Sequence, residues 1–414
     1  MSSVASRFAG IRGACWSFLR AQRSLVLLFL GTSALVWLGS AFGHDILRRN
    51  AETGLHSPGV IPSLSNWDGN FYFQIVNDGY KYDPQRASRV AFFPGYPLLT
   101  WLLKKSTGLA TRVALPVTSL VALVASLMVF QSYLRVENDE EADAAGQWSQ
   151  IALCLWPAGL FLRMGYSESL FLVLMLLAML GLRRNWQEWR VALLIGAATG
   201  VRSVGVALLL PLVWNLWIES RSPAYVFRKG IILGPLACWG LFAYITFLDC
   251  QFQAPLAFVQ TQQFWASRPQ PGGLQNLLNL LTLEPIWSVY VPGTSAYWKR
   301  YAQNSIPLFC FPFFNPIYFV MCAGLVVYGF WKRWLTVSEL LLSAGLLGIP
   351  YVMQAHRMVM LGHGRFTCVV FPMFIVLGRL LSRAPTCVQV LIATLMGIQL
   401  FYWTAMFSAW HRVY

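Results

Sequence analysis

Ten long apolar runs constrain this chain more than any other feature. They fall at about 25–42, 113–134, 148–163, 167–182, 191–217, 230–248, 306–330, 335–353, 366–381 and 386–409. A helix needs about 20 apolar residues to cross the hydrocarbon of a bilayer, within a range of roughly 17–25. Several runs, notably 148–163 and 167–182, are short, which predicts partial helices or helices shielded by their neighbours. Charged residues make up only 11% of the 414 positions and apolar residues 57%, whereas a soluble domain carries roughly 25% charged residues. Such a chain lacks the polar atoms for a water-facing surface. It reads as one all-α, membrane-embedded domain over 1–414 and not as several soluble domains. The net charge of +15 then records topology and contact with anionic head groups, not nucleic acid.

The orientation follows from the positive residues. Arg7, Arg12, Arg20 and Arg23 precede the first run with no acid among them. This pattern predicts a cytoplasmic N-terminus and a retained first helix in preference to a cleaved signal peptide. The run 191–217 is too long for one crossing and contains Gly196, Gly200, Arg202, Gly205 and Pro211. Two half-helices folded near Arg202 would keep both basic linkers, 183–190 and 218–229, in the cytoplasm. The count becomes eleven membrane or half-membrane helices, with the C-terminus outside. Two long loops, 43–112 and 249–305, then face the non-cytoplasmic side. The eight cysteines form no C-x-x-C pair and read as small buried hydrophobes.

The first loop is the most informative segment. In Ser65-Asn66-Trp67-Asp68-Gly69-Asn70-Phe71-Tyr72-Phe73-Gln74-Ile75, the residues Trp67, Phe71 and Ile75 recur every four positions, and Gly79 supplies a stop. This predicts a short amphipathic helix on the membrane with Asp68 at its N-terminal edge. Asp68 is then either a helix cap or a catalytic carboxylate at the lipid–water boundary. A polyprenyl-phosphate sugar would present its anomeric carbon at that level. Further on, Ala91-Phe92-Phe93-Pro94-Gly95-Tyr96-Pro97, closed by Lys104 and Lys105, is either a groove for a lipid chain or an interfacial turn.

Several of these motifs occur in a familiar order. Trp67-Asp68-Gly69 with Tyr72, Asp78-Gly79-Tyr80, Ala91-Phe92-Phe93-Pro94-Gly95-Tyr96-Pro97, Pro157-Ala158-Gly159, Gly165-Tyr166-Ser167-Glu168-Ser169 and Ala198-Thr199-Gly200-Val201-Arg202-Ser203 together resemble the PIG-V family. That family comprises the GPI mannosyltransferase 2 enzymes and their bacterial relatives. The resemblance covers about 60–205. It implies a GT-C type glycosyltransferase fold, a lipid-phosphate sugar as donor, mannose as the sugar and a site on the lumenal or periplasmic side. It also implies that Asp68 matches the family's loop acid, the catalytic base. The Tyr82-Asp83-Pro84-Gln85 spacer looks closer to the bacterial relatives. The bacterial inner membrane is therefore the expected location, or the endoplasmic reticulum membrane if the source is eukaryotic.

Ionisable groups inside apolar stretches are functional candidates by default. Glu168 is such an acid, and its bland reading is a helix cap. Arg202 sits at the half-helix fold, with pairing to Glu168 or snorkelling as its bland readings; Arg163 lies just before the Glu168 turn. His356-Arg357 and Gly362-His363-Gly364-Arg365 form a cationic loop that suits a phosphate, or an ordinary anionic-lipid contact. The acidic run Glu137-Asn138-Asp139-Glu140-Glu141 reads as a solvated cytoplasmic linker. The resulting assignment makes Asp68 the catalytic residue. The candidate substrate-binding residues are Trp67, Tyr72, Tyr80, Phe93, Pro94, Tyr166, Glu168, Arg202, Arg357, His363 and Arg365. Arginines suffice for a departing monophosphate, so no metal or other cofactor is expected. The expected partners are a polyprenyl- or dolichyl-phosphate sugar, a glycan or glycolipid acceptor and membrane lipids. A lipid-linked glycan ligase and a transporter or flippase are the rival classes.

Overall fold

The computed structural model describes residues 2–47, 57–135, 140–269, 271–302, 307 and 310–410, with side chains described from residue 23 onward except for 140–142. Within the acidic run, 137–139 lie outside the described residues, and Glu140 opens a helix. Among the described residues every regular element is helical. In chain order, α1 (Ser2–Asp45) leads to the first loop, which carries α2 (Val60–Ser63), α3 (Asp68–Asp78) and α4 (Gly95–Thr107). Then follow α5 (Thr111–Leu134), α6 (Glu140–Leu155), α7 (Glu168–Arg183), α8 (Glu188–Val201), α9 (Leu209–Ser220), α10 (Pro223–Ala237) and α11 (Trp239–Phe252). The second long segment holds α12 (Ala257–Gln260), α13 (Gly273–Leu281) and α14 (Glu284–Trp287). The chain closes with α15 (Phe311–Trp331), α16 (Val337–Gln354), α17 (His363–Phe366), α18 (Phe371–Ser382) and α19 (Thr386–Ser408).

Among the described residues six helices are long and apolar enough to cross a membrane, and two bent pairs, α10 with α11 and α17 with α18, raise the number to eight if each pair is one span. The eleven expected from sequence included short runs, and the difference lies there. Runs 148–163 and 167–182 and the first half of 191–217 become α6, α7 and α8, of 16, 16 and 14 residues. None of these matches the width of the hydrocarbon alone. α7 is buried on nearly all sides against α5, α8 and the segment after α8, so protein and not lipid surrounds it. A short helix is tolerated at that depth because its neighbours shield its ends.

The chain does reverse at Arg202. The Tyr225 hydroxyl on α10 contacts Glu188 at the start of α8 (3.4 Å) and Glu219 near the end of α9 (3.3 Å), and Lys229 pairs with Glu188 at 2.5 Å. Both linkers therefore lie at one end of the bundle. Glu168 at the start of α7 and Arg202 at the end of α8 lie together at the other. Close packing of α8 on α11 fixes this hairpin. A Cβ added at Gly240 would lie 2.3 Å from the Gly196 carbonyl oxygen and 2.5 Å from the Gly200 nitrogen, both backbone atoms. Small residues at such crossings let helix backbones touch where lipid supplies no hydrophobic drive. We expect Gly240→Ala to lower stability by about 1–3 kcal/mol through overpacking. Gly234→Ala on α10, where nothing lies within 4 Å, should be neutral or slightly stabilising. Thermal unfolding of the two variants in the same detergent checks the contrast.

Candidate active site

Two turns, far apart in sequence, are stitched together and set the geometry. Gly165 N donates to the Leu64 carbonyl (2.9 Å), the Tyr166 hydroxyl to the Asn66 carbonyl (3.1 Å) and the Tyr72 hydroxyl to Ser167 Oγ (3.0 Å). Asn66 is itself buried, with its side chain bonded to Ser57 and to the carbonyls of Phe407 and Ser408 at the end of α19. At the mouth of this assembly Trp67 takes φ 56°, an uncommon conformation for a bulky residue and a form of strain that collects at functional sites. Its ring leans on Trp410, with centroids 5.2 Å apart. The strained residue delivers Asp68 as the first residue of α3.

Asp68 does not cap its helix: no side-chain capping bond is made there. Instead its Oδ2 accepts from Arg365 Nη1 at 2.6 Å, across 297 positions of sequence. Glu168 opens α7 and is likewise not a cap. Its Oε1 accepts from Arg202 Nη1 at 2.6 Å and lies 3.0 Å from Arg365 Nε, an ion pair whose angle falls outside hydrogen-bonding geometry. Asp68, Arg365, Glu168 and Arg202 thus form one chain of alternating charge with no net charge. The two acids differ in access. The Glu168 side chain is 1% exposed and that of Asp68 21%, so Asp68 is the acid an incoming group can reach. Aromatic faces enclose the cations: Arg365 lies over Tyr166, Phe161 and Phe366, and Arg202 over Phe366. Ser167 adds a further contact to Arg202 at 3.2 Å. Ser167 stands within the Gly165–Ser169 motif, and its one signal in sequence is its place beside the buried acid.

The other expected residues divide. Tyr72 joins the site through Ser167, and its hydroxyl is pushed up to about 12 by burial and then by the Glu168 charge, so it remains protonated. Tyr166 is buried beneath Arg365. Tyr80, Phe93 and Pro94, expected to bind substrate, touch none of the four charges. The Tyr80 hydroxyl donates to the Phe92 carbonyl, the Phe93 ring packs on Tyr244 and Phe258, and Pro94 immediately precedes α4. They fasten the first loop to α11 and α12, because apolar rings at a loop base gain more from packing than from exposure. His363 is corrected too. It is fully buried against Phe319 and Phe366, with Nε2 3.3 Å from the Pro350 carbonyl. Of the glycines flanking it, Gly364 brings backbone to Asn315, whose Oδ1 accepts from Gly364 N, while Gly362 makes a left-handed turn at φ 84° with open space beside it. Arg163 turns toward α1, where Thr32 and Ser33 accept its bonds. Arg357 lies outside the charge chain, on the segment before α17. Among the described residues no three His, Cys, Asp or Glu side chains gather as a metal-ligand set.

The described residues thus form an all-helical bundle with several membrane-length helices and a carboxylate–arginine chain at one end. The comparisons with known proteins make the class specific. A family model described as Mannosyltransferase (PIG-V) matches residues 54–409. The chain belongs to that family. It is 35% identical over 189 residues to GPI alpha-1,6-mannosyltransferase 2 of Cricetulus griseus, covering 43% of this chain and 35% of that protein. With the Homo sapiens counterpart the identity is 33% over 157 residues, 36% of this chain and 30% of that one. GPI mannosyltransferase 2 of Yarrowia lipolytica is 23% identical, covering 50% of this chain and 58% of that protein. The chain thus spans about a third of the length of the mammalian relatives it matches. Among solved structures, ArnT from Cupriavidus metallidurans, bound to undecaprenyl phosphate, has a TM-score of 0.45 at 16% identity over 88% of this chain and 62% of that one. The archaeal oligosaccharyltransferase AglB from Archaeoglobus fulgidus has 0.42 at 13% over 93% and 56%.

Proposed function

We propose that this protein transfers mannose from a polyprenyl- or dolichyl-phosphate carrier to a glycan or glycolipid acceptor, by a single displacement with inversion. The observation that carries the reading is the contact of Asp68 with Arg365, which puts a reachable base beside a cation. Attack on an anomeric carbon bonded to phosphate requires both. The acceptor hydroxyl approaches Asp68 Oδ1, since Oδ2 is held by Arg365. As the acceptor oxygen bonds to the anomeric carbon, its proton passes to Asp68. The bond from that carbon to the phosphate oxygen breaks, and the electron pair leaves with the lipid phosphate. Arg365 and Arg202 receive that charge; a planar, permanently charged fork suits phosphate. Glu168 keeps both guanidinium groups in register before the phosphate arrives. Membership of the PIG-V family and relatives named as mannosyltransferases support mannose. The orientation predicted from the basic residues supports a site on the non-cytoplasmic side.

The test is a purified-protein assay with a labelled synthetic polyprenyl-phosphate mannose. Transfer to a glycolipid acceptor is expected, with polyprenyl phosphate as co-product. The rate should be unchanged by a chelator, because the arginines supply the positive charge. Movement of donor across a bilayer without a glycosylated product would overturn the reading in favour of a flippase.

A further inference from the structure

The nine-residue helix α13 (Gly273–Leu281) is built the wrong way round for water. Leu274, Leu277, Leu278 and Leu281 recur at the spacing of one helical face and are between 47% and 74% exposed. The opposite side, turned to the protein, carries Asn276, Asn279 and Leu280. On a globule in water the leucines would face inward, because apolar surface gains by leaving water. Four outward leucines in so short a helix call for an apolar neighbour.

The place of α13 in the bundle identifies that neighbour. The Tyr351 hydroxyl on α16 donates to the Leu280 carbonyl at 3.0 Å, and Asn279 Nδ2 lies 3.4 Å from His356 Nδ1, just beyond α16. α16 is of membrane length, and Val352 and Met353 in its last turn are exposed apolar side chains. α13 is thus strapped to the end of a helix that faces lipid. That end is the one with Asp68. α16 begins near the linker 183–190, where Tyr133 binds both Glu339 and Arg183, and it ends shortly before α17, which carries Arg365. Charge agrees with this placement. No residue from 269 to 283 is charged, and the two that bound the stretch, Arg268 and Glu284, neutralise each other through bonds of 2.8 and 2.7 Å. Trp287 follows with an exposed ring whose indole N–H donates to the Thr282 carbonyl, an amphipathic group suited to the membrane–water boundary.

We propose that α13 is an in-plane membrane anchor. It lies in the leaflet on the Asp68 side, with its four leucines among the acyl chains, its asparagines against the protein, and the exposed flank of Gln275 and Thr282 toward water. Such helices sink their apolar face about 5–10 Å into the boundary between head groups and chains, and a helix is admissible there because its backbone bonds are made internally. The occupant is the bilayer and not a protein partner, because the leucine face is tied to a lipid-facing helix end and offers no charge for a partner to match. The anchor seats the segment that carries Trp265. Its ring packs on Phe71 and Phe92, with centroids 5.8 and 6.1 Å apart, and Phe71 lies three residues beyond Asp68 on α3. The anchor is independent of the sugar, the carrier and the acceptor.

Depth is measured on the full chain in phosphatidylcholine nanodiscs. A ketone-bearing residue introduced at position 277, and in a second protein at 275, takes a nitroxide label without touching the native cysteines. Power saturation should show the label at 277 relaxed by oxygen, which concentrates among acyl chains, and the label at 275 relaxed by a water-soluble nickel chelate. Equal access of the two labels to the chelate overturns the anchor. A label at 277 shielded from both reagents also overturns it and assigns the face to protein, a second copy included. Hydrogen exchange supplies a measurement without labels. Exchange of the α13 amides should rise about tenfold in Leu277→Asp, which drives a charge into the leaflet, and stay within about twofold of wild type in Gln275→Asp on the water flank. Equal exchange in the two variants overturns the proposal.

Discussion

Asp68→Asn is expected to lower sugar transfer by roughly 10²- to 10⁴-fold, the range that a positioned general base supplies. Asparagine keeps the size of the side chain and an oxygen for Arg365, but its amide cannot take the acceptor proton. The fold should survive, because Arg365 keeps Glu168 as a counter-ion at 3.0 Å and the turn is held by Tyr166 and Tyr72. Binding of polyprenyl phosphate should therefore stay within a few-fold of wild type. Single-turnover transfer and lipid binding, measured on the same preparation, check both halves. A variant that transfers at full speed would remove Asp68 from the chemistry.

Glu168→Gln is expected to cost more in stability than any other single change at the site. The side chain is 1% exposed and serves two arginines. Breaking a buried ion pair by removing one partner typically costs about 3–5 kcal/mol, since the remaining charge stays desolvated. Arg202 loses its only carboxylate among the described residues, whereas Arg365 retains Asp68. The damage should therefore concentrate at Arg202 and the fold between α8 and α9. Adding Arg202→Met should restore part of the lost stability, because removing both charges avoids the stranded one. Activity should stay low in the double variant, which lacks a phosphate-receiving cation. A midpoint for Glu168→Gln close to wild type would show that the acid is not holding the arginines in place.

The amphipathic helix at Asp68 was legible because its signal is local: apolar residues four apart, a stop at Gly79 and an acid at the edge. The reversal at Arg202 was legible from charge, since two basic linkers around an over-long run leave little freedom. The helix count was not, because hydropathy measures apolar length and not what surrounds it. The shortness of run 167–182 points to a partial or shielded helix, but only the packing shows that α7 is shielded. The glycines flanking His363 permit close approach but do not say to what, and its burial is decided by the packing of Phe319 and Phe366. The rings of Tyr80 and Phe93 look alike in sequence whether they line a groove or pin a loop.

Composition, apolar spacing and motif order thus carry the membrane class, the helical content and the family. Pairing was decided only in three dimensions. Asp68 meets Arg365 across 297 positions, and Glu168 meets Arg202 across 34. A charge inside an apolar bundle must find an opposite charge or be expelled. Which partner it finds depends on how the helices cross, and that is set by backbone contacts such as Gly240 on Gly196, which no local pattern encodes.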